Sequence, residues 1–317
     1  MVNIAIAGGT GQVSNEIIDA LLAAKKHHIT ILSRRERPEG ALASPDIAWK
    51  TVDYDSRESL VKALQDCHTV LSFIQILSDA DQKSQKNLID AAVDAKVKRF
   101  APSEYGSAGT VNMPWWQGKE IVREYLREIN AKEKVLEYTL FQPGLFLDYL
   151  AYPHKTSRHV DPLQTVIDLE HKRAIVVDGQ EDSIMTLTSV ADLAAVVARA
   201  VEFEGPWPAQ GGIRGNKYTF GQLVELGRRI RESIDVERVS AQDLEDGKLA
   251  TSWGLEAVHQ AVTGDEAAAM LKAVSIGILL SSTKGAWDVS AAWNELLPDY
   301  RFTSAEDFLT KVWQGKP

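Results

Sequence analysis

Apolar positions along the first 150 residues fall into short blocks that alternate between two periods. Asn3-Ile4-Ala5-Ile6-Ala7 reads as a strand, and after it Val13, Ile17, Leu21 and Ala24 recur at helical spacing. Ile29-Thr30-Ile31-Leu32 predicts a second strand, Pro38 to Pro45 a loop, and Ile47 to Val52 a third strand ending at Asp53. Asp55 followed by Glu58 resembles a capping box, opening a helix that carries Leu60, Val61 and Leu64. Thr69 to Ile74 is a near-continuous apolar run of the kind found in parallel sheets. A helix from about Asp81 to Ala95, with Leu88, Ile89 and Ala92 on its inner face, then leads to a strand at Lys98–Ala101. Val122, Leu126 and Ile129 mark one more amphipathic helix, and Leu136 to Phe141 a sixth strand. Strand–helix alternation of this kind builds right-handed βαβ units, so the expected class is α/β with a doubly wound parallel sheet.

Beyond Leu147 the alternation dissolves and Pro, His and aromatic residues accumulate. Met185 to Glu202 predicts a strand and helix, with Asp192 starting the helix. Gly205–Gly215 reads as a connection, Phe220–Arg231 as a helix, and the remainder to Trp313 as helical. The expected division is a nucleotide-binding domain over 1–150, to which 183–202 return, and a smaller, mostly helical substrate domain over 151–182 and 203–317. Composition changes this picture little: 317 residues, 44% hydrophobic and 25% charged, are ordinary for a globular protein. A net charge of −9 offers no field to attract nucleic acid or an anionic membrane, so neither is expected as a direct partner. Cys67 is the single cysteine, which excludes an internal disulfide and fits a reducing compartment. No signal peptide is read at the start, and the run Ala273–Leu280 is far shorter than the ~20 residues that span a bilayer. The expected location is the cytoplasm. His154, His159 and His171 lack metal-ligand spacing, so no metal is expected.

Between the first strand and helix lies Gly8-Gly9-Thr10-Gly11-Gln12-Val13-Ser14. A glycine turn there lets the backbone approach a pyrophosphate, and the helix start aims unpaired N–H groups at it. Ser14 stands where a third glycine is common; the alternative is a glycine turn without a ligand. At the end of the second strand an acidic residue would hold the ribose hydroxyls of NAD, yet Ser33, Arg34 and Arg35 occupy this place. Guanidinium groups suit a 2′-phosphate, so NADPH/NADP is the expected cofactor, against the alternative of two solvated arginines. Asp53 either meets the adenine or caps its turn. Ser72 and Phe73, at the end of the fourth strand, complete the expected cofactor edge.

Arg99-Phe100-Ala101-Pro102-Ser103-Glu104-Tyr105-Gly106, taken with the Gly-Gly-Thr-Gly opening and the arginine after strand two, resembles the isoflavone reductase-like, NmrA-like group of atypical short-chain dehydrogenases. That group includes phenylcoumaran benzylic ether and pinoresinol–lariciresinol reductases of plants and many fungal relatives. The resemblance implies a Rossmann-type fold and places the family's catalytic lysine at Lys119. Spacing alone leaves Lys119, three residues before Val122, either as a sheet-edge functional group or as a snorkelling side chain. Trp115 stands four residues before it, where tyrosine-dependent relatives carry their acid, so that chemistry is not expected. The resemblance also puts Ser103, Pro143, Gly144 and Phe146 beside the cofactor, the last three also being readable as a plain turn with a core phenylalanine. Tyr105, Phe146, Tyr149, Tyr152 and His154 are the substrate-side candidates, His154 as a second acid or a structural hydrogen-bonder.

The implied activity is NADPH-dependent hydride transfer to an apolar aromatic or polyketide-like small molecule of secondary metabolism, at a conjugated alkene, carbonyl, imine or benzylic ether. Lys119 would supply the proton or steady developing negative charge. The alternatives are a non-catalytic NAD(P)-sensing regulatory protein and a non-redox isomerase or cyclase on the same fold. Either a monomer or a homodimer is compatible with the sequence.

Overall fold

A computed structural model describes residues 2–40, 44–256 and 267–316. Residues 41–43 of the expected loop and 257–266 of the expected helical remainder lie outside that description. The chain groups into two compact units: 1–105, 115–142 and 193–211 form the first, and 106–114, 143–192 and 212–317 the second.

The first unit is built on six parallel strands in the order β3-β2-β1-β4-β5-β6: Val2–Ala7 (β1), His27–Ser33 (β2), Ile47–Thr51 (β3), Thr69–Ser72 (β4), Arg99–Ala101 (β5) and Glu137–Tyr138 (β6). Gln12–Ala23 (α1), Arg57–Leu64 (α2), Lys83–Asp94 (α3) and Gln117–Ile129 (α4) join them. Alternate strand residues Ala5, Ala7, Val70 and Phe100 share one core with Leu60, Leu64, Leu88, Ile89, Val122 and Leu126 of α2, α3 and α4. That is the period-2 sheet face meeting the period-3.6 helix stripe. The order reverses between β1 and β4, and in open α/β sheets ligands bind outside the carboxyl ends of the strands at such a reversal.

Local chemistry moved several expected boundaries. α2 is capped by Ser56, whose hydroxyl accepts from the Ser59 N–H, because Asp55 is drawn to Lys83 at 2.5 Å. α3 starts only at Lys83, since Asp81 and Gln82 hold positive φ of 50° and 54°. The expected sixth strand is two: Thr139 donates its N–H to Phe100 and its hydroxyl to Pro208. Leu140–Gln142 (β7) then leaves the sheet to pair with Gln210–Gly212 (β12). Arg99 of the sequence motif is structural: 2% exposed, it pairs with Glu137 at 3.2 Å and donates to the Phe203 and Gly205 carbonyls. Cys67 is buried, and burial raises its thiol pKa, so it is a packing residue.

The second unit is comparable in length to the first and carries more strand than the sequence pattern predicts. Leu145–Phe146 (β8), Ile184–Thr188 (β11) and Asn216–Thr219 (β13) make one three-stranded sheet. Ile167–Asp168 (β9), Arg173–Val177 (β10) and Asp235–Val239 (β14) make another. These strands are short and flanked by polar residues, which hides their period. Phe220–Arg231 (α6), Ala241–Glu245 (α7), Ala267–Thr283 (α8), Ala292–Leu296 (α9) and Ala305–Trp313 (α10) supply its helices, while Val190–Glu202 (α5) begins in this unit and from residue 193 on belongs to the first. Asp192 does not cap α5; Ser189 accepts its N–H, while the Asp192 carboxylate accepts from Tyr300 Oη at 2.8 Å and the Thr303 N–H at 3.1 Å. Trp287, Trp293 and Trp313 are core residues. Among the described residues no helix is long and apolar enough to cross a membrane, and no cluster of His, Cys, Asp or Glu has the form of a metal site.

Candidate active site

At the reversal point, the turn after β1 leaves no room for side chains. Gly8 has φ +75°, and a Cβ there would stand 2.6 Å from the Phe73 carbonyl oxygen; a Cβ on Gly9 would stand 2.7 Å from Ile31 Cγ2. Ser14, fully buried, donates its hydroxyl to the Gly8 and Gly11 carbonyls at 3.0 and 2.8 Å. The serine in the third small position therefore acts as the clasp that shapes the turn. Thr10 and Gly11 are exposed, Gln12 and Val13 begin α1, and no side chain caps this helix start. An uncapped helix start presents the positive end of its dipole, the arrangement that takes a phosphate.

At the end of β2 the Ser33 hydroxyl accepts the Arg35 N–H at 3.1 Å, and the Arg34 and Arg35 side chains are exposed. Asp53 accepts the Asp55 N–H at 2.9 Å, so its carboxylate closes its own turn. Ser72 donates to Gln85 Oε1, which also accepts the Ser103 N–H at 3.0 Å, tying the ends of β4 and β5 together. Tyr105 holds φ +36°, a strained value for a residue with a side chain. Its ring lies on Phe73 at 4.5 Å, 7° from parallel, with Phe141 at 6.4 Å. Burial raises the pKa of its phenol, which has no hydrogen-bond partner; the Gln142 amide nitrogen is likewise buried without one.

Lys119 is 4% exposed, one turn into α4. Its ammonium donates to the Glu104 backbone carbonyl at 2.5 Å and lies 3.6 Å over the Trp116 ring. Burial lowers its pKa to about 7; the Glu104 carboxylate opposes the fall and the Arg123 guanidinium adds to it. Gly118 fixes the approach of this helix start: a Cβ there would collide with the Gln82 amide and with Ile76. Gln82 in turn donates to the Ile76 and Asp79 carbonyls at 3.0 and 2.9 Å, holding the 76–82 segment against α4. A lysine that exchanges its proton near neutrality, with its nitrogen fixed in an aromatic, water-poor setting, can donate a proton or bind an anion.

The structure brings Gly8, Phe73, Tyr105 and their neighbours together in the first unit, with Lys119 anchored to the same Glu104-Tyr105 loop. Pro143, Gly144, Phe146, Tyr149, Tyr152 and His154 belong to the second unit. Gly144 has φ +75° and lies so close to Thr186 that a Cβ would overlap its carbonyl. Pro143 is buried, and Phe146 packs edge-on to Tyr149 at 5.4 Å, the Tyr149 phenol being driven to a higher pKa by burial. Tyr152 donates its N–H to Tyr149, and His154 lies against Trp313 with Glu170 3.9 Å away. The sequence reading missed the roles of Arg123 and Gln82. Arg123 left a trace, a charge on the apolar stripe of α4 next to Val122; Gln82 left none.

A family profile described as "NmrA-like family" matches residues 2–272. The chain belongs to this family. Among curated relatives it is 28% identical to "Oxidoreductase swnN" of Metarhizium robertsii, covering 100% of this chain and 98% of that one. It is 32% identical to "Oxidoreductase BOA1" of Botryotinia fuckeliana over 73% of this chain and 76% of the relative. The birch (Betula pendula) "Phenylcoumaran benzylic ether reductase Betv6" is 28% identical over 96% and 97%. Solved structures of the same fold include an NADPH-dependent quinone oxidoreductase from Escherichia coli with NADPH (TM-score 0.69, 20% identity, 98% and 100% covered). A Citrobacter triphenylmethane reductase with NADP(H) has TM-score 0.67 at 19% identity, with 98% and 99% covered. These likenesses agree with the resemblance carried by the Pro-Ser-Glu-Tyr-Gly stretch and with the Rossmann-type sheet.

Proposed function

We propose that this NmrA-like protein is an NADPH-dependent reductase of an apolar, aromatic or polyketide-like small molecule, with Lys119 as its catalytic residue. The observation that carries the reading is Lys119 itself, a buried amine of α4 poised near neutral pH and bonded to the loop that follows β5. The names and bound cofactors of the relatives support the same activity. The side-chain-free turn at Gly8, Gly9 and Gly11 and the uncapped start of α1 fit a pyrophosphate, and Arg34 and Arg35 fit the 2′-phosphate that separates NADPH from NADH. The cofactor supplies hydride when bound. Lys119 Nζ holds a proton for the substrate atom that gains negative charge, and the Glu104 carbonyl with the Trp116 face keeps that nitrogen in place. Tyr105, its ring stacked on Phe73, is assigned to substrate contact by its strained backbone. Phe146, Tyr149, Tyr152 and His154 of the second unit keep their proposed substrate-side roles, each to be tested by its own alanine variant.

The test is a tryptophan-fluorescence titration with NADPH and NADH, followed by NADPH oxidation against enones, quinones and aromatic ketones. Preference for NADPH with turnover of at least one compound is the expected result. Tight binding with no turnover on any compound would favour a dinucleotide sensor.

A further inference from the structure

The ion pair beneath Lys119 has no place in the mechanism above. Glu104 is 3% exposed and Arg123 4% exposed. They form a two-bond fork, Arg123 Nε to Glu104 Oε1 at 2.9 Å and Nη2 to Oε2 at 2.6 Å, and Arg123 Nη1 also meets the half-exposed Glu120 at 2.6 Å. Two groups of Glu104 therefore bear on Lys119, one directly and one through Arg123. Its backbone carbonyl accepts the ammonium proton, while its carboxylate, aimed at Arg123, fixes the peptide that carries this carbonyl and leads into strained Tyr105.

Resting on the reductase reading, we infer that Glu104 and Arg123 are a paired positioning device: their fork holds the carbonyl that anchors the Lys119 ammonium, and each of the two charges biases that group in its own sense. The two charges act in opposite senses, carboxylate favouring the ammonium form and guanidinium the free amine. A buried pair of this kind is a poor source of stability, since desolvation consumes most of its attraction. Its value lies in fixing the Glu104 peptide, and with it the carbonyl that is bonded to Lys119. Other charges on the elements packed against α4 are committed elsewhere. Asp79 accepts the Ser84 and Gln85 N–H groups, and Asp81 lies in the same segment. Lys83 pairs with Asp55, and Lys86 and Asp90 meet Tyr125 on the next turns of α4.

The experiment reads Lys119 directly in the full chain without cofactor. Proteins carrying 13C-labelled lysine are titrated by NMR, with the Lys119 signal assigned by its loss in K119M. Glu104→Gln should move the midpoint down by about one pH unit, and Arg123→Gln should move it up by a similar amount. The double variant E104Q/R123Q should titrate between the two single variants. Shifts of the same sign in both single variants, or none, would overturn the inference, because a merely structural role does not reverse sign with charge. Should one single variant fail to fold, the other decides: a shift against the sign expected from the charge removed, or none, overturns the inference. Turnover plays no part in this readout, so failure of the pair and failure of the reductase reading are separable.

Discussion

Lys119 shows why a functional residue can be visible in sequence while its chemistry is not. Its spacing to Val122 puts it on the inner side of α4, but only the folded chain supplies the Glu104 carbonyl, the Trp116 face and the burial that lower its pKa to about 7. The cost of that burial is measurable. Because the folded pKa lies below the unfolded value of about 10.4, the unfolded chain holds more protons between about pH 7 and pH 10, and the Lys119 contribution to stability rises with pH across that window. K119M should therefore unfold at higher temperature than wild type at pH 6, by a few kcal/mol of stability, with the gap closing toward pH 10. Calorimetry at several pH values checks this, and a gap that is constant with pH would mean that the lysine is not held in a depressed state.

Elements were legible where period and punctuation agreed. β1, α1 and β2 follow the apolar pattern almost residue for residue, since they line the buried part of a parallel sheet, and β3, a half-exposed edge strand, shows in its β-type composition. Two misses involve partners distant in the chain: Ser56 caps α2 while the Asp55 carboxylate pairs with Lys83, and the Thr139 hydroxyl bonds to Pro208 where the last strand leaves the sheet. Ser14 is a milder case, since the sequence showed only a small residue while the structure shows a clasp on two carbonyls. The element that most affects activity is the start of α4, where Gly118 admits the Gln82 side chain. Gly118→Ala should push the 76–82 segment away and displace Lys119, lowering kcat about 10- to 100-fold while the cofactor Kd changes little. Single-turnover rates and a fluorescence titration separate the two, and an unchanged kcat would remove Gly118 from the account.

At the scale of the whole molecule, the fold class and family were readable from residues 1–150, whereas the second unit was not. Its short strands pair at a distance along the chain, β10 with β14 and β11 with β13, and nothing local marks such partners. Cofactor specificity is a whole-molecule property in the thermodynamic sense, because a ligand that binds only the native state stabilises the entire chain. NADPH at a hundredfold excess over its Kd should add about 2.7 kcal/mol, seen as a rise in Tm of several degrees. R34A/R35A should lose most of that rise with NADPH and none with NADH; equal losses with both would assign the arginines to something other than the 2′-phosphate. The central claim, that Lys119 makes this chain a reductase, is tested most directly by comparing NADPH oxidation by wild type and K119M on a compound that wild type reduces. The account predicts a fall in kcat of about 10²- to 10⁴-fold with NADPH affinity retained, and K119M turning over at the wild-type rate would contradict it.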